Sequence, residues 1–366
     1  MRLRLSHCVL TCLAVLSLAG CEPPPGAEYT YYYLPSADAG VDPAPMTIQV
    51  AKVAEGSTPQ DNGLYPGILY VHGGSWESGS KQDMYDDMRA AIAQGYVAAS
   101  VNYRLSKPGD FNQFGLWPAP LEDVKCAIRW LRANASDPEK GWNLDPDRIA
   151  VVGLSAGGHL ALLAGETSGV LIDGESAFET SECDLDGAEA QTSDVSVVAT
   201  MSGIGDLNQL WETGSRNGLL IQKVEQMMGG IDLSGEGPHD VVQPLNPMTY
   251  VSEVGPAVLM VHPENDSVVS PKAEARFPNQ AQDPVTGYHE TLQSVGRTSM
   301  FIMPDRGGHY TQTGSKSYAR EQIFLWMDRH LKGMDVEMAC GAEPACQVIL
   351  PELDQAAEKL RRCLSE

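Results

Sequence analysis

Positive charge is scarce in this sequence. Its 366 residues include 25 Lys and Arg against 48 Asp and Glu, which gives a formal net charge of −23. Nucleic-acid-binding surfaces need clustered basic residues, so this composition argues against that class of function. Hydrophobic and charged residues, at 43% and 20%, are at ordinary levels for a globular protein, and a chain of this length can form one large domain or two smaller ones.

The N-terminus lacks an apolar segment of membrane-spanning length. The apolar run at residues 8–18 is too short to cross a bilayer comfortably. It follows Arg2 and Arg4 and precedes Leu18-Ala19-Gly20-Cys21, an order that is typical of a secretory signal peptide. The last four of these residues resemble the lipoprotein box of bacteria.

The lipoprotein resemblance implies that residues 1–20 are a signal peptide and that Cys21 carries the lipid. Glu22 rather than Asp follows Cys21, which in a Gram-negative bacterium implies the outer rather than the inner membrane. We therefore expect an exported protein that is anchored to a bacterial membrane. A plain signal peptide that ends at a Cys is the alternative.

Metal-binding cysteine patterns are absent as well. The eight cysteines form no CxxC pair and no cluster with His, so nothing predicts a metal site. Cys8 and Cys12 leave with the signal and Cys21 carries lipid, so five of the eight remain, and an odd number leaves at least one unpaired. We predict that Cys126, in a helix-like segment, is the free thiol. The pairing of the other four stays open: Cys183, Cys340, Cys346 and Cys363.

From residue 46 onward, short apolar runs rich in β-branched residues alternate with helix-like segments. The predicted strands are 67–71, 96–101, 148–152, 195–201, 257–262 and 299–303, and the predicted helices are 81–94, 119–135, 156–166 and 317–331. Strands that are apolar almost throughout are typical of parallel sheets covered on both faces. The sequence thus predicts an α/β fold with a mostly parallel central sheet.

The chain divides into an anchor, a domain and a tail. Residues 21–45, rich in Pro, Ala, Asp and Tyr, predict an extended tether, although Tyr29 and Tyr31–Tyr33 could instead dock on the domain. The domain spans 46–333, with an acidic surface loop at 167–194 and a candidate cap at 203–250. A Cys-containing extension with a short helix follows at 334–366.

The strongest functional motif is Gly153-Leu154-Ser155-Ala156-Gly157. It lies between a predicted strand and a predicted helix, the context that a G-x-S-x-G nucleophile elbow requires. Small residues must flank the serine because the turn is sharp, and the N-terminus of the following helix stabilises negative charge. We predict that Ser155 is the nucleophile. An ordinary Gly-rich turn is the alternative.

A second motif, His72-Gly73-Gly74-Ser75-Trp76, directly follows a predicted strand. Glycine lets the backbone approach a ligand closely with its N–H groups exposed. We predict an oxyanion hole formed by the backbone N–H groups of Gly73, Gly74, Ser75 and Ala156. A glycine-rich turn with no catalytic role is the alternative.

Two later motifs supply the other members of a Ser-His-Asp triad. Asp266 lies just past a predicted strand, and His309 follows the next strand in Gly307-Gly308-His309. Serine, aspartate and histidine then occur along the chain in the order that accompanies a G-x-S-x-G elbow. The histidine accepts the serine proton, and the aspartate sets the histidine tautomer. Glu264 is the local alternative to Asp266.

Other polar residues in these motifs are interpreted as structural. We expect His159 to pack below the site, His72 to hold the loop after its strand, and His262 to have a structural role at a strand end. Glu122 and Asp123 open a predicted helix, where acidic side chains interact favourably with the helix dipole.

These motifs resemble the esterase and lipase branch of the α/β hydrolases, and within it the bacterial feruloyl- and acetyl-esterase-like proteins related to hormone-sensitive lipase. The matching segments are HGGSW (72–76), VNYRL (101–105), PLEDVKCAIRWLRANA (120–135), DPDRIAVVGLSAGGHLA (145–161), HPENDSVVSP (262–271) and GGHY (307–310). The resemblance covers residues 46–333 and implies an α/β-hydrolase fold. The Ser-Trp end of HGGSW departs from hormone-sensitive-lipase relatives and points towards carbohydrate-esterase-like and formamidase-like groups.

The resemblance implies a serine carboxylic-ester hydrolase that works without a metal or organic cofactor. Its expected substrate is an extracytoplasmic ester: an acetyl or feruloyl ester of a carbohydrate, or a small acyl ester. The main alternative is an aryl-formamidase, or a serine peptidase or amidase, with the same triad. A non-catalytic binding lipoprotein is a third hypothesis, although no triad member is missing from the sequence.

Overall fold

The computed structural model describes most of the chain between residues 26 and 350. The described residues are 26–33, 45–106, 115–172, 175–180, 183, 185–212, 218–233, 240–271, 287–310, 316–336, 338 and 347–350. The predicted signal peptide, Cys21 and the short helix expected near the C-terminus lie outside them, as do Cys340, Cys346 and Cys363. No helix within these described ranges is long and apolar enough to cross a membrane.

Strands and helices alternate along the domain. The strands are β1 (Gly26–Tyr33), β2 (Pro45–Ala51), β3 (Tyr65–Val71), β4 (Val97–Val101), β5 (Leu144–Leu154), β6 (Leu171–Ile172), β7 (Glu175–Ser176), β8 (Val197–Met201), β9 (Ala257–Val261), β10 (Ser299–Pro304) and β11 (Gln347–Leu350). The α-helices are α1 (Tyr85–Ala93), α2 (Ala119–Ala133), α3 (Ala156–Glu166), α4 (Gln209–Glu212), α5 (Gly218–Met227), α6 (Tyr288–Ser294) and α7 (Lys316–Leu331).

In the described part of the chain, nine strands form one sheet in the order β1-β2-β4-β3-β5-β8-β9-β10-β11. Strands β4, β3, β5, β8, β9, β10 and β11 are parallel, whereas β2 is antiparallel to both β1 and β4. Short strands β6 and β7 form a separate hairpin. The predicted fold class, a mostly parallel sheet with helices on both faces, is confirmed.

The strand pattern explains the two helical layers. Successive side chains on a strand point to opposite faces of the sheet. In β3, Leu69 and Val71 pack into a core with α2 and α3, whereas Ile68 and Tyr70 pack into a second core with α1 and α7. Each face of the sheet is therefore buried under helices, as the almost continuous apolar strands require.

The N-terminal segment is part of the sheet, so the tether prediction is wrong for residues 26–33. β1 pairs with β2, with Tyr29 opposite Ile48. The Tyr29 ring lies 5.5 Å from that of Trp130 and 5.4 Å from that of Trp142. Docking, the alternative reading of the tyrosines, is correct for Tyr29 because pairing and aromatic contacts outweigh the tether-like composition.

The described residues of the 167–194 segment pack against α2, so this part of the chain is not a simple surface loop. Cys126 and Cys183 form a disulfide, so the prediction of a free thiol at Cys126 is wrong. The Lys125 ammonium donates to Ala177 O at 2.6 Å, and the Arg129 guanidinium donates to Ala188 O at 3.1 Å. Buried cations require such acceptors, and this segment supplies them.

The C-terminal extension also contributes to the domain. β11 pairs in parallel with β10, with Gln347 opposite Phe301. Residues 347–350 therefore belong to the sheet and extend the domain beyond the predicted boundary at residue 333. The segment is a mostly apolar run of only four residues, and it is stabilised as a strand by pairing with β10.

Candidate active site

Ser155 lies in a sharp turn between β5 and α3. Its backbone has φ 53° and ψ −121°, an unfavourable combination for a residue with a side chain. A Cβ on Gly153 would lie 2.1 Å from Gly157 O, and one on Gly157 would lie 2.2 Å from Val71 O. Only glycine fits at both flanking positions, and the strand–turn–helix geometry expected for a nucleophile elbow is present.

His309 joins Ser155 to Asp266. His309 Nε2 lies 2.7 Å from Ser155 Oγ, and His309 Nδ1 lies 2.8 Å from Asp266 Oδ2. Ser155 follows β5, Asp266 follows β9 and His309 follows β10. The C-terminal ends of these parallel strands lie at the same edge of the sheet. Nδ1–H donates to the carboxylate, which leaves the Nε2 lone pair to accept the serine proton. Glu264, the competing acid, has an exposed side chain.

The Asp266 carboxylate is held by several donors. Its Oδ1 accepts the backbone N–H groups of Val268 and Val269 at 2.9 and 3.0 Å. Burial alone would raise the pKa of Asp266, but hydrogen bonds from His262 and His309 outweigh that effect and hold the pKa well below its usual range. The carboxylate is therefore charged at neutral pH and can stabilise a protonated His309.

His262 has a closer connection to the site than the sequence suggested. Its Nε2 lies 3.3 Å from Asp266 Oδ2 and 3.1 Å from Val269 O. Its Nδ1 is buried and has no partner among the described residues. The only available signal was its position four residues before Asp266 in the loop after β9. The structural role expected for His262 therefore did not include its contact with Asp266.

The 72–78 loop runs directly against the serine turn. A Cβ on Gly73 would lie 3.0 Å from Leu154 O and 3.2 Å from Ser155 Cβ. Gly74, at φ 115°, accepts the N–H groups of Glu77 and Ser78 at 3.1 and 3.0 Å. This geometry brings the loop to the serine, and Ala156 is the first residue of α3, where backbone N–H groups lack helical partners. The oxyanion-hole assignment itself stays a prediction.

His72 holds that loop, as expected. Its Nδ1–H donates to Gly73 O at 2.7 Å, and its ring stacks on Tyr103 at 4.3 Å between centroids. Tyr103 Oη donates to His72 O at 3.1 Å. Burial lowers the pKa of His72, which leaves it neutral. The side chain therefore supports the backbone of the loop.

His159 lies below the site, also as expected. It is fully buried one helical turn after Ser155. Its Nδ1 accepts from Trp76 Nε1 at 3.2 Å, and its Nε2 lies 2.7 Å from Leu245 O. Burial lowers the pKa of His159 to about 4, despite the opposing effect of the Leu245 carbonyl. The imidazole is therefore neutral at neutral pH.

The acidic pair at the start of α2 anchors an arginine. Arg104 Nε donates to Asp123 Oδ1 at 2.9 Å, and Arg104 Nη2 lies 2.9 Å from Glu122 Oε2. Asp123 also accepts the backbone N–H of Arg104 at 2.6 Å. These contacts hold the chain after β4 against α2, which confirms a structural role for both carboxylates.

The 203–250 segment contacts the 72–78 loop. Lys223 Nζ on α5 lies 2.7 Å from Glu77 Oε2, and Gln226 Nε2 donates to Ser106 O at 2.7 Å. Ser106 N in turn donates to Trp76 O at 2.9 Å. The segment therefore lies beside the candidate site, and its role as a cap over a substrate stays a prediction.

Comparisons with known sequences point to esterases. A family model described as BD-FAE matches residues 57–280. Esterase LipC of Mycobacterium tuberculosis is 30% identical over 238 residues, which are 64% of this chain and 50% of LipC. Esterase LipQ of the same organism is 28% identical over 212 residues, 58% of this chain and 44% of LipQ. The chain thus spans about half the length of these curated relatives.

Comparisons with solved structures show the fold. A truncated carbohydrate esterase from gut microbiota superposes with a TM-score of 0.58 at 22% identity, over 83% of this chain and 96% of that one. Esterase 2 of the planctomycete Thermogutta terrifontis gives a TM-score of 0.57 at 17% identity, over 85% and 94%. The family model covers more than half of the chain, so the protein belongs to the BD-FAE family and has the α/β-hydrolase fold that its motifs predicted.

Proposed function

We propose that this protein is a serine carboxylic-ester hydrolase that acts through an acyl-enzyme. The observation that carries the proposal is the position of His309, with one ring nitrogen 2.7 Å from Ser155 Oγ and the other 2.8 Å from Asp266 Oδ2. A serine hydroxyl becomes a useful nucleophile when an oriented histidine can accept its proton. The esterase relatives support an ester as the substrate.

Each step of the reaction has a residue to perform it. Ser155 Oγ attacks the ester carbonyl while His309 Nε2 accepts its proton, and Asp266 stabilises the resulting imidazolium. The negative charge on the carbonyl oxygen is stabilised by backbone N–H groups of the 72–78 loop and of Ala156. His309 then protonates the leaving alcohol, and a water molecule activated by the same histidine releases the acid. Neither stage calls on a metal or an organic cofactor.

The proposed substrate class is an extracytoplasmic ester, either an acetyl or feruloyl ester of a carbohydrate or a small acyl ester. The likeness to a carbohydrate esterase from gut microbiota supports the carbohydrate-linked members of this class. A protein on a cell surface would also meet polymeric esters that are too large to import. A panel of acetyl, feruloyl and short aryl esters, with an aryl formamide beside them, separates this proposal from a formamidase.

Labelling with a fluorophosphonate probe tests the nucleophile. The parent protein should be labelled and should hydrolyse short aryl esters, whereas Ser155→Ala should do neither. A parent protein that is folded, unlabelled and inactive on every ester of the panel would contradict the proposal. If a formamide is hydrolysed much faster than any ester, the proposed substrate would be a formamide rather than an ester.

We also propose that the protein is exported and anchored to a bacterial membrane through a lipid on Cys21. The support is the signal-like sequence of residues 1–21 together with the Cys126–Cys183 disulfide, since disulfides persist mainly outside the cytosol. Expression of the full chain with a palmitate analogue should label the parent and leave Cys21→Ser unlabelled. A parent that takes up no lipid and stays in the soluble fraction would instead indicate a plain signal peptide.

A further inference from the structure

The end of the 72–78 loop has an unfavourable backbone. Ser75 and Trp76 have φ values of 53° and 60°, in the left-handed region that residues with side chains seldom adopt. Such a conformation is unfavourable and persists only where its surroundings impose it. The N–H of Ser75 is one of the predicted oxyanion donors, so what imposes this conformation also sets the position of that donor.

Trp76 is anchored at both its backbone and its side chain. Its carbonyl oxygen accepts the Ser106 N–H at 2.9 Å. Its side chain is fully buried, and the indole Nε1–H donates to His159 Nδ1 at 3.2 Å. The two rings meet edge to face, with centroids 5.2 Å apart and an interplanar angle of 83°. Burial, the hydrogen bond and the ring contact together orient the indole.

His159 connects this indole to the nucleophile. It lies on α3 four residues after Ser155, and its backbone N–H donates to Ser155 O at 3.0 Å. Its Nε2 lies 2.7 Å from Leu245 O in the 203–250 segment. One imidazole, carried by the helix that follows Ser155, thus contacts both the loop of the predicted oxyanion donors and the candidate cap.

The hydrogen-bond partners define the protonation of this imidazole. Trp76 Nε1–H can only donate, so His159 Nδ1 must accept and the proton must reside on Nε2, facing the Leu245 carbonyl. A neutral ring with this tautomer satisfies both contacts. A doubly protonated ring would place two donors against each other at Nδ1, which agrees with the low pKa of this residue.

We propose that Trp76 and His159 are positioning residues, whose hydrogen bond holds the predicted oxyanion donors Gly74 and Ser75 in register with Ser155. This inference rests on the proposed ester hydrolysis. Ser155 and the loop belong to different elements, and the Trp76–His159 contact is a buried side-chain hydrogen bond that links them. Oxyanion donors act through accurate placement, and small displacements of a catalytic group weaken it strongly.

Conservative variants separate the two hydrogen bonds of His159. Trp76→Phe keeps a buried aromatic ring and removes only the indole donor. His159→Asn places an amide oxygen near the position of Nδ1 and can still accept from Trp76, whereas His159→Gln reaches towards Leu245 and loses the Trp76 contact. Trp130→Phe is the matched control. Trp130, on α2, is also buried, and its indole N–H donates to Asp186 Oδ2 at 3.1 Å.

The readout is kinetic, with an aryl acetate and its thiono analogue, in which sulfur replaces the carbonyl oxygen. We expect Trp76→Phe and His159→Gln to lower kcat about 10- to 100-fold with little change in KM. We also expect both to reduce the preference for the oxygen ester over the thiono ester, because well-placed N–H donors favour an oxyanion. His159→Asn should remain closer to the parent, and Trp130→Phe should change stability without changing that preference.

The inference is overturned if Trp76→Phe and His159→Gln lose no more kcat than Trp130→Phe, or if both keep the full oxygen preference of the parent. Failure of the proposed function gives a different result. In that case the parent itself hydrolyses no ester and takes up no fluorophosphonate, and both proposals fall together. If the parent is active and the variants are unaffected, the positioning role is contradicted and the proposed ester hydrolysis is not.

Discussion

His262 Nε2 lies 3.3 Å from Oδ2 of Asp266, the oxygen that also accepts the hydrogen bond from His309. Two histidines from different loops therefore share one carboxylate oxygen. A donor on this oxygen withdraws negative charge that would otherwise stabilise a protonated His309. We therefore expect His262 to moderate how strongly Asp266 supports the proposed base.

Replacing His262 should change the pH profile of ester hydrolysis. His262→Leu removes one of the contacts that hold the pKa of Asp266 low. The carboxylate then stabilises the protonated state of His309 more strongly, so the acid limb of the kcat/KM profile should move to higher pH. His330→Leu on α7 is the control and should leave the profile unchanged. An acid limb that stays in place for His262→Leu would show that His262 has no influence on the carboxylate.

The two candidate acids can be distinguished by single substitutions. Asp266→Asn keeps the size of the side chain but removes the charge that orients His309, and it should lower kcat by about 10⁴-fold. Glu264→Gln changes an exposed side chain beside it and should leave kcat close to the parent value. The kcat of each variant is measured from the steady-state hydrolysis of an aryl acetate. Equal losses in the two variants, or a larger loss in Glu264→Gln, would contradict the assignment of Asp266.

Burial of His159 predicts a pH-dependent term in stability. Its pKa falls from an ordinary 6.5 to about 4 in the folded protein, so the unfolded chain takes up a proton between these values and the folded one does not. The stabilising contribution of the neutral ring is complete above about pH 6.5 and is lost as the pH falls towards 4, by up to about 3 kcal/mol.

His159→Gln provides the comparison, because glutamine does not titrate. The free energy of unfolding, measured with urea from pH 7 to pH 4, should fall more steeply in the parent than in the variant. Parallel curves for the two proteins over this range would show that the folded protein can accommodate a protonated ring at this position.

The Cys126–Cys183 disulfide joins α2 to the 167–194 segment and closes a long loop, with a sequence separation of 57. Such a cross-link restricts the unfolded chain, and losing it typically costs about 2–4 kcal/mol. The double variant Cys126→Ala/Cys183→Ala should therefore unfold at lower urea than the oxidised parent. Dithiothreitol should lower the urea midpoint of the parent to that of the variant and leave the midpoint of the variant unchanged. A parent that is insensitive to the reductant under these conditions would argue against a stabilising disulfide.

The elements that the sequence predicted well are those with a local pattern. α3 covers the predicted residues Ala156–Glu166, and the strands on either side of Ser155 lie where their apolar runs indicate. An almost continuous apolar strand can be buried only between two layers of helices. The fold class therefore followed from the pattern, without knowledge of any particular contact.

The elements that the sequence missed depend on their partners. β1 lies in a segment that was interpreted as a tether, and β11 is a mostly apolar run of four residues in a tail to which no strand was assigned. Both are edge strands, whose conformation is stabilised by pairing with β2 and β10. The Cys126–Cys183 pair was missed for a related reason, since a helical pattern around Cys126 carries no information about which segment will pack against it.

By itself, the sequence determined the chemistry at the centre of the site. The glycines around Ser155 and the chain order of Ser155, Asp266 and His309 are visible without coordinates, because a sharp turn imposes local requirements on size. Only the tertiary structure decided that Asp266 rather than Glu264 faces His309 and that His159 contacts Trp76. Residues distant in the chain become neighbours only when the strands assemble, and no local pattern records which side chains then meet.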